Sequence, residues 1–91
     1  MQIMFEDSAS YDKGAGIVCF YGSAEGEDLA FGCTTEALME AEQLESASER
    51  ELMAAFTKHR DRIRQIARAK YISGAIERRG VCIVRTVDLN R

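Results

Sequence analysis

The stretch SERELMAAFTKHRDRIRQIARAKYI, residues 48–72, decides the fold of this chain. It opens with a capping box, in which Ser48 stands at the cap and Glu51 follows three residues later. Inward-facing positions then recur at alternating spacings of four and three, at Leu52, Phe56, His59, Ile63, Ile66 and Lys70. This period is typical of a helix with one narrow apolar stripe. The stretch therefore predicts one long helix that runs from the Ser48 cap to about Ile72.

A shorter helix and a β-hairpin precede the long helix. Thr34 is placed to cap a helix over residues 35–43, with Glu36 in its first turn. Two β-prone runs, Ile17–Tyr21 and Leu29–Cys33, flank a polar connection that contains glycine, which predicts a hairpin. Residues 2–5 are compatible with a first strand, and the Asp and Ser residues at positions 7–10 predict a turn after it.

The last predicted strand covers Val81–Val87, which is rich in β-branched residues. The order along the chain is then β-β-β-α-α-β. We expect one α+β domain over residues 1–91, with a small antiparallel sheet of about four strands and two helices packed on one face. The pattern leaves open where the last strand enters the sheet.

Cysteine spacing and hydropathy indicate where the protein works. Cys19, Cys33 and Cys82 lack the C-x-x-C separation of metal and redox sites and lie beside bulky apolar residues, so we expect buried free thiols and a reducing compartment. The N-terminus shows no signal peptide, and no apolar run is long enough to span a membrane. These features predict a cytoplasmic protein without a membrane partner.

Nothing in the sequence predicts catalysis. His59 is the only histidine, and its helical neighbours at three and four positions include no carboxylate or thiol, so we interpret it as a residue at the edge of the core. The glycine-bearing loops lack the P-loop and dinucleotide patterns. The carboxylates of residues 25–51 show no metal-loop spacing. We therefore expect no catalytic residue, no metal and no cofactor, and no enzymatic activity.

The charge distribution indicates an interaction surface. Residues 1–51 hold twelve acidic and two basic residues, whereas residues 52–91 hold ten basic and three acidic residues. Arg60, Arg64 and Arg68 recur every four residues along the predicted long helix. Three interpretations remain open for this row: a solvated face partly neutralised by acids of the first helix, a docking site for an acidic protein, or a phosphate-binding row for nucleic acid. The pI of about 5.1 argues against the last one.

Several short motifs resemble one family of bacterial proteins. They are Phe5-x-Asp7 with Tyr11-Asp12, Val18-x-Phe20, residues 33–38 (CTTEAL), the pattern AFxxxRxxIxxIAxxKY over residues 55–71, and residues 84–89 (VRTVDL). Together they resemble the family called domain of unknown function 1488. The resemblance implies a compact α+β fold and a cytoplasmic bacterial protein, and it implies no reaction.

The function that we expect is that of a non-enzymatic interaction or adaptor module, which forms a homodimer or binds an acidic protein through the long basic helix. The candidate docking residues are Lys58, Arg60, Arg64, Arg68, Arg78 and Arg79. The alternative is a nucleic-acid-binding accessory protein that uses Arg60, Arg64 and Arg68.

Overall fold

A computed structural model of the chain describes residues 2–77 and 80–90. It contains one four-stranded sheet with the strand order β1-β2-β3-β4. The strands are β1 (Met4–Asp12), β2 (Ile17–Ala24), β3 (Glu27–Thr34) and β4 (Val81–Val84). Strands β1, β2 and β3 pair antiparallel, so the predicted hairpin and the α+β class are confirmed.

The sheet is mixed, because β4 runs parallel to its neighbour β3. The expectation of a wholly antiparallel sheet is therefore wrong for its last strand. Parallel neighbours need a long crossover connection that usually contains helix. Here the helices between β3 and β4 form that crossover, so that β4 begins at the same end of the sheet as β3.

Strand β1 is longer than the sequence indicated. It continues through residues 7–10, where we predicted a turn, and pairs with β2 up to Asp12. The register shifts between Phe5 and Ala9, which is a bulge. The polar residues that suggested a turn are therefore accommodated by local disruption of the pairing, as bulges allow.

Four helices complete the described structure: α1 (Thr35–Ala41), α2 (Glu49–Lys58), α3 (Arg60–Ile72) and the single turn α4 (Thr86–Leu89). Both predicted N-caps are confirmed, since the Thr34 hydroxyl accepts from the Ala37 N–H and the Ser48–Glu51 capping box is complete. Helix α1 ends two residues before the predicted limit because Gln43 takes a left-handed conformation with φ of 54°.

The prediction of one continuous long helix is wrong, because the helix is divided at His59 into α2 and α3. His59 has φ of −101° and ψ of 12°, outside helical geometry. The hydrogen bonds from His59 N to Ala55 O and from Ile63 N to His59 O continue across the break. The apolar period therefore persists through α2 and α3 while the backbone changes course at one residue.

Strand β4 ends at Val84, three residues before the predicted limit. The Asp88 carboxylate accepts the Arg85 N–H at 2.9 Å, which closes the α4 turn. An acidic side chain three residues after a helix start stabilises a free backbone donor, and this local bond ends the strand.

The core lies between the helices and one face of the sheet. Alternate strand residues Val18, Phe20, Phe31, Cys33, Cys82 and Val84 are all at most 2% exposed. The Phe20 ring stacks on Phe31 at 5.3 Å and meets Phe56 of α2 at 5.2 Å between centroids. The strand residues that alternate with these buried residues point to the opposite face of the sheet. The described helices leave that face uncovered.

Candidate docking surfaces

The arginine row lies against the N-terminal strand. Arg64 donates from Nη2 to the Glu6 carbonyl at 2.9 Å, and its Cζ stands 5.4 Å from the Phe5 ring centroid. The Arg68 Cζ stands 6.0 Å from the same ring. The bulge after Phe5 leaves the Glu6 carbonyl out of register with β2, where it is able to accept from α3. Arg64 therefore joins α3 to β1 as part of the fold.

The three arginines of the row differ in what they offer to a partner. The Nε atoms of Arg60 and Arg64 are buried and have no hydrogen-bond partner among the described residues. An unpaired buried donor costs about 1–3 kcal/mol. Arg68 is exposed, and so is Arg62 on the other side of the helix. Of the predicted row, Arg68 is the most exposed member, and its guanidinium also lies near the Phe5 ring.

The other predicted docking residues have different surroundings. Lys58 is exposed and pairs with Glu42 at 3.2 Å. The acid at the end of α1 therefore neutralises Lys58 of α2 rather than the arginine row. Arg78 and Arg79 lie outside the described residues. The described members therefore do not share one set of contacts, since Lys58 pairs with Glu42 whereas Arg64 and Arg68 lie against Phe5 of β1.

His59 has a carboxylate partner that helical spacing did not reveal. Its Nε2 lies 3.1 Å from Glu42 Oε2, seventeen residues away at the end of α1. The hydrogen bond to His59, followed by the one to Lys58, lowers the pKa of Glu42 below its usual value. Such a contact between two helices depends on tertiary structure alone.

Among the described residues, the His59–Glu42 pair lacks the nucleophile and the metal ligands that a catalytic site would add to it. An open cavity of about 270 Å³ lies beside His59, lined by Ala41, Arg62, Leu89 and Asn90. None of these lining residues is a hydroxyl or thiol nucleophile. Across residues 2–77 and 80–90, no group of three His, Cys, Asp or Glu side chains is placed to hold a metal ion. The chemistry available to the pair is proton exchange and charge pairing.

The uncovered face of the sheet is the largest feature that the sequence analysis missed. Apolar side chains from three neighbouring strands line this open sheet face: Ile17, Cys19, Tyr21, Ala30, Val81 and Ile83. They surround a hollow of about 350 Å³, whose lining also includes the acids Asp12 and Glu77. The signal was present in the sequence, because both alternating sets of residues 17–21 are apolar, whereas a solvated strand face carries polar residues.

The family comparison gives a clear result. The family described as Protein of unknown function (DUF1488) matches residues 3–84. The chain belongs to this family. The crystal structure of a protein of unknown function from the DUF1488 family from Shewanella loihica PV-4, at 1.60 Å resolution, is similar to this chain with a TM-score of 0.85. The two sequences are 16% identical over 92% of this chain and 94% of the other, which shows a shared fold. No curated protein matches the chain.

The residues that carried the DUF1488 resemblance have structural roles. Phe56, Ile63 and Ala67 are at most 3% exposed. Lys70 donates to the Asp88 carboxylate and to the Ile83 carbonyl, each at 2.7 Å, and thereby joins α3 to β4 and α4. These motif residues stabilise the fold of the DUF1488 chain and indicate no reaction.

The thiols of this DUF1488 chain are protected from ionisation. Burial, and then the charge of Asp88, raise the pKa of Cys33 to about 12. Burial also raises the pKa of Cys82 and, with Asp12, that of the half-buried Cys19. A thiol is nucleophilic as the thiolate, so these surroundings make all three thiols less reactive, and the half-buried Cys19 remains the most accessible of them. No helix in the described part of the chain is long and apolar enough to cross a membrane.

Proposed function

We propose that this protein is a non-enzymatic interaction module that acts as a homodimer. The observation that carries the proposal is the open sheet face, where the exposed Tyr21 and half-buried apolar side chains of β2, β3 and β4 surround a hollow. Monomeric proteins seldom expose a contiguous apolar patch larger than a few hundred Å² unless it binds something. A second copy of the chain is a partner that is present wherever the protein itself is present, and at the same concentration.

The absence of enzymatic activity is part of the proposal and rests on the surroundings of the reactive groups. His59 is engaged with Glu42, and its cavity is open and holds no nucleophile along its lining. The burial of Cys33 and Cys82 keeps both thiols away from a substrate. A bacterial cytoplasm is the location that fits three free cysteines.

Sedimentation velocity and light scattering over a range of concentrations test the homodimer. We expect a monomer at low micromolar concentration and a dimer at higher concentration, because the open sheet face is small. A chain that stays folded and monomeric at about 1 mM would overturn the proposal, since an association weaker than that is worth less than about 4 kcal/mol.

Nucleic-acid binding remains the second candidate, and Arg68 is the observation in its favour, because it is an exposed basic residue of α3. A basic row that neutralises phosphates binds more weakly as salt increases. Titration with a fluorescent single-stranded oligonucleotide at low and moderate salt tests it. Arg68→Ala should reduce binding, and Glu49→Ala on the exposed start of α2 should not. Lack of binding at low salt would remove this candidate.

A further inference from the structure

The open sheet face carries a partly exposed aromatic ring at the border of a hollow. Tyr21 is 40% exposed on β2. It lines the hollow of about 350 Å³ together with Ile17, Cys19, Ala30 and Ile83, and the carboxylates of Asp12 and Glu77 lie at the border of the same hollow. A twofold interface brings the same patch of both copies together, so an exposed ring beside a hollow gives each copy a group to insert and a space to receive one.

We infer that two copies of this chain pack sheet against sheet about a twofold axis, with the Tyr21 ring of each copy in the hollow of the other. The inference rests on the proposed homodimer and specifies the surface and the contact that the homodimer uses. Sheets that pack face to face lie about 10 Å apart, and their inward side chains interdigitate. Aromatic residues are enriched at the centres of such interfaces.

The size of the open sheet face fits a weak, specific dimer. Strands β1, β2 and β3 have eight or nine residues and β4 has four. At about 3.3 Å per residue and about 4.8 Å between strands, the sheet face presents about 450 Å². Two copies in contact bury about 900 Å², which is below the area of a stable specific interface and fits a weak, transient one. We therefore expect a dissociation constant in the micromolar range or above.

The charges at the two ends of the sheet select the relative orientation. The β2–β3 turn and the start of β3 carry the exposed acids Glu25, Glu27 and Asp28. At the opposite end, the turn between β1 and β2 balances Asp12 with Lys13. Superposing two acidic ends would place six negative charges together, so the strands of the two copies should run antiparallel across the interface. The twofold axis then passes near the middle of the face, close to Cys19.

The border of the open sheet face is polar, as in protein interfaces generally. Arg85 donates two hydrogen bonds to the Glu77 carboxylate, at 2.6 and 2.7 Å, along the β4 edge. Ser10 and Asp12 are exposed on β1 at the other edge. An apolar centre within a polar rim favours a protein subunit over a lipid surface as the occupant.

The test uses Cys19 as a reporter at the centre of the proposed interface. Wild-type protein is alkylated with iodoacetamide below and above the concentration at which light scattering detects a dimer, and peptide mass spectrometry measures the rate at each cysteine. Cys19 is half-buried in the monomer, whereas Cys33 and Cys82 are buried and report unfolding. We expect Cys19 labelling to slow by about tenfold or more in the dimer, in proportion to dimer occupancy.

Two variants place a carboxylate on different exposed apolar residues. Tyr21→Asp puts a charge into the proposed interface and should give a monomer with concentration-independent Cys19 labelling. Val87→Asp is the matched control, since Val87 is 68% exposed in the first turn of α4, where an acid is favourable. It should dimerise like the wild type. If Tyr21→Asp does not fold by circular dichroism, the wild-type labelling result decides alone.

The outcomes separate this inference from the proposed function. A dimer in which Cys19 reacts as fast as in the monomer would overturn the sheet-to-sheet contact and leave the homodimer standing on another surface. A dimer that Tyr21→Asp leaves intact would do the same. A chain that is monomeric at every concentration would overturn both.

Discussion

Replacing Arg64 by methionine tests whether this arginine belongs to the fold or to a binding surface. Methionine keeps an unbranched apolar stem on α3 and removes the guanidinium. Arg64 is 21% exposed and donates to the Glu6 carbonyl at 2.9 Å, with its Cζ 5.4 Å from the Phe5 centroid. The substitution therefore removes one charged hydrogen bond, one cation–π contact and a 3.9 Å ion pair with the exposed Asp7, and a surface pair of this kind contributes little to stability.

The expected loss is a difference between opposing terms. A hydrogen bond from a charged donor contributes about 1.5 kcal/mol at the lower end of its range, which suits a partly exposed site. The cation–π contact adds about 0.5 kcal/mol. Removal of the buried, unpaired Nε returns about 1 kcal/mol. Arg64→Met should therefore reduce the free energy of unfolding by about 1 kcal/mol and Tm by about 4–8 °C.

Arg60→Met is the matched control one helical turn away. The Arg60 Nε is also buried without a partner, but Arg60 forms no hydrogen bond or ion pair to a described residue. This variant should be unchanged or more stable by up to about 1 kcal/mol. Urea unfolding followed by circular dichroism measures both variants. If their free energies of unfolding agree within about 0.5 kcal/mol, the structural role assigned to Arg64 is refuted.

Three further predictions concern pH and capping. The lowered pKa of Glu42 means that its contribution to stability is present above its ordinary value of 4.5 and is lost as pH falls through the folded-state value. Glu42→Gln should flatten that acid-side loss in urea midpoints measured against pH, and parallel curves would contradict the His59 contact. For Cys33 the sign is opposite: its contribution is present below pH 9.0 and falls as pH rises toward about 12, so Cys33→Ala should reduce the alkaline slope of stability. Ser48→Ala should cost about 1 kcal/mol by thermal unfolding because it removes the capping box of α2, and an unchanged Tm would show that the box contributes little.

Local signals predicted the local structure well. The capping box at Ser48 and the Thr34 cap were readable because each depends on residues three positions apart. The hairpin and the buried alternation of β2 were readable for the same reason, since a strand alternates its side chains between two faces. The turn at residues 7–10 was misread because Asp and Ser also fit a bulge, and the pairing with β2 decides which one forms.

The candidate sites depended on residues far apart in the chain. No helical spacing could place Glu42 beside His59, or Glu6 beside Arg64, because each contact joins different elements. The row of three arginines was correct as a row on α3. Its surroundings depend on the packing of β1 against α3, in which Arg64 contacts Phe5 and Arg68 stays exposed.

The sequence alone determined most of the element types, the caps and the family of this protein, because periodicity and capping act over a few residues and family motifs are a property of the sequence itself. Tertiary structure alone decided that β4 lies parallel to β3 and which face of the sheet the helices cover. Both faces of β2 are apolar, so its pattern could not say which face the helices would cover. That choice depends on where the crossover returns the chain, and it leaves Tyr21 and its hollow exposed for a second copy.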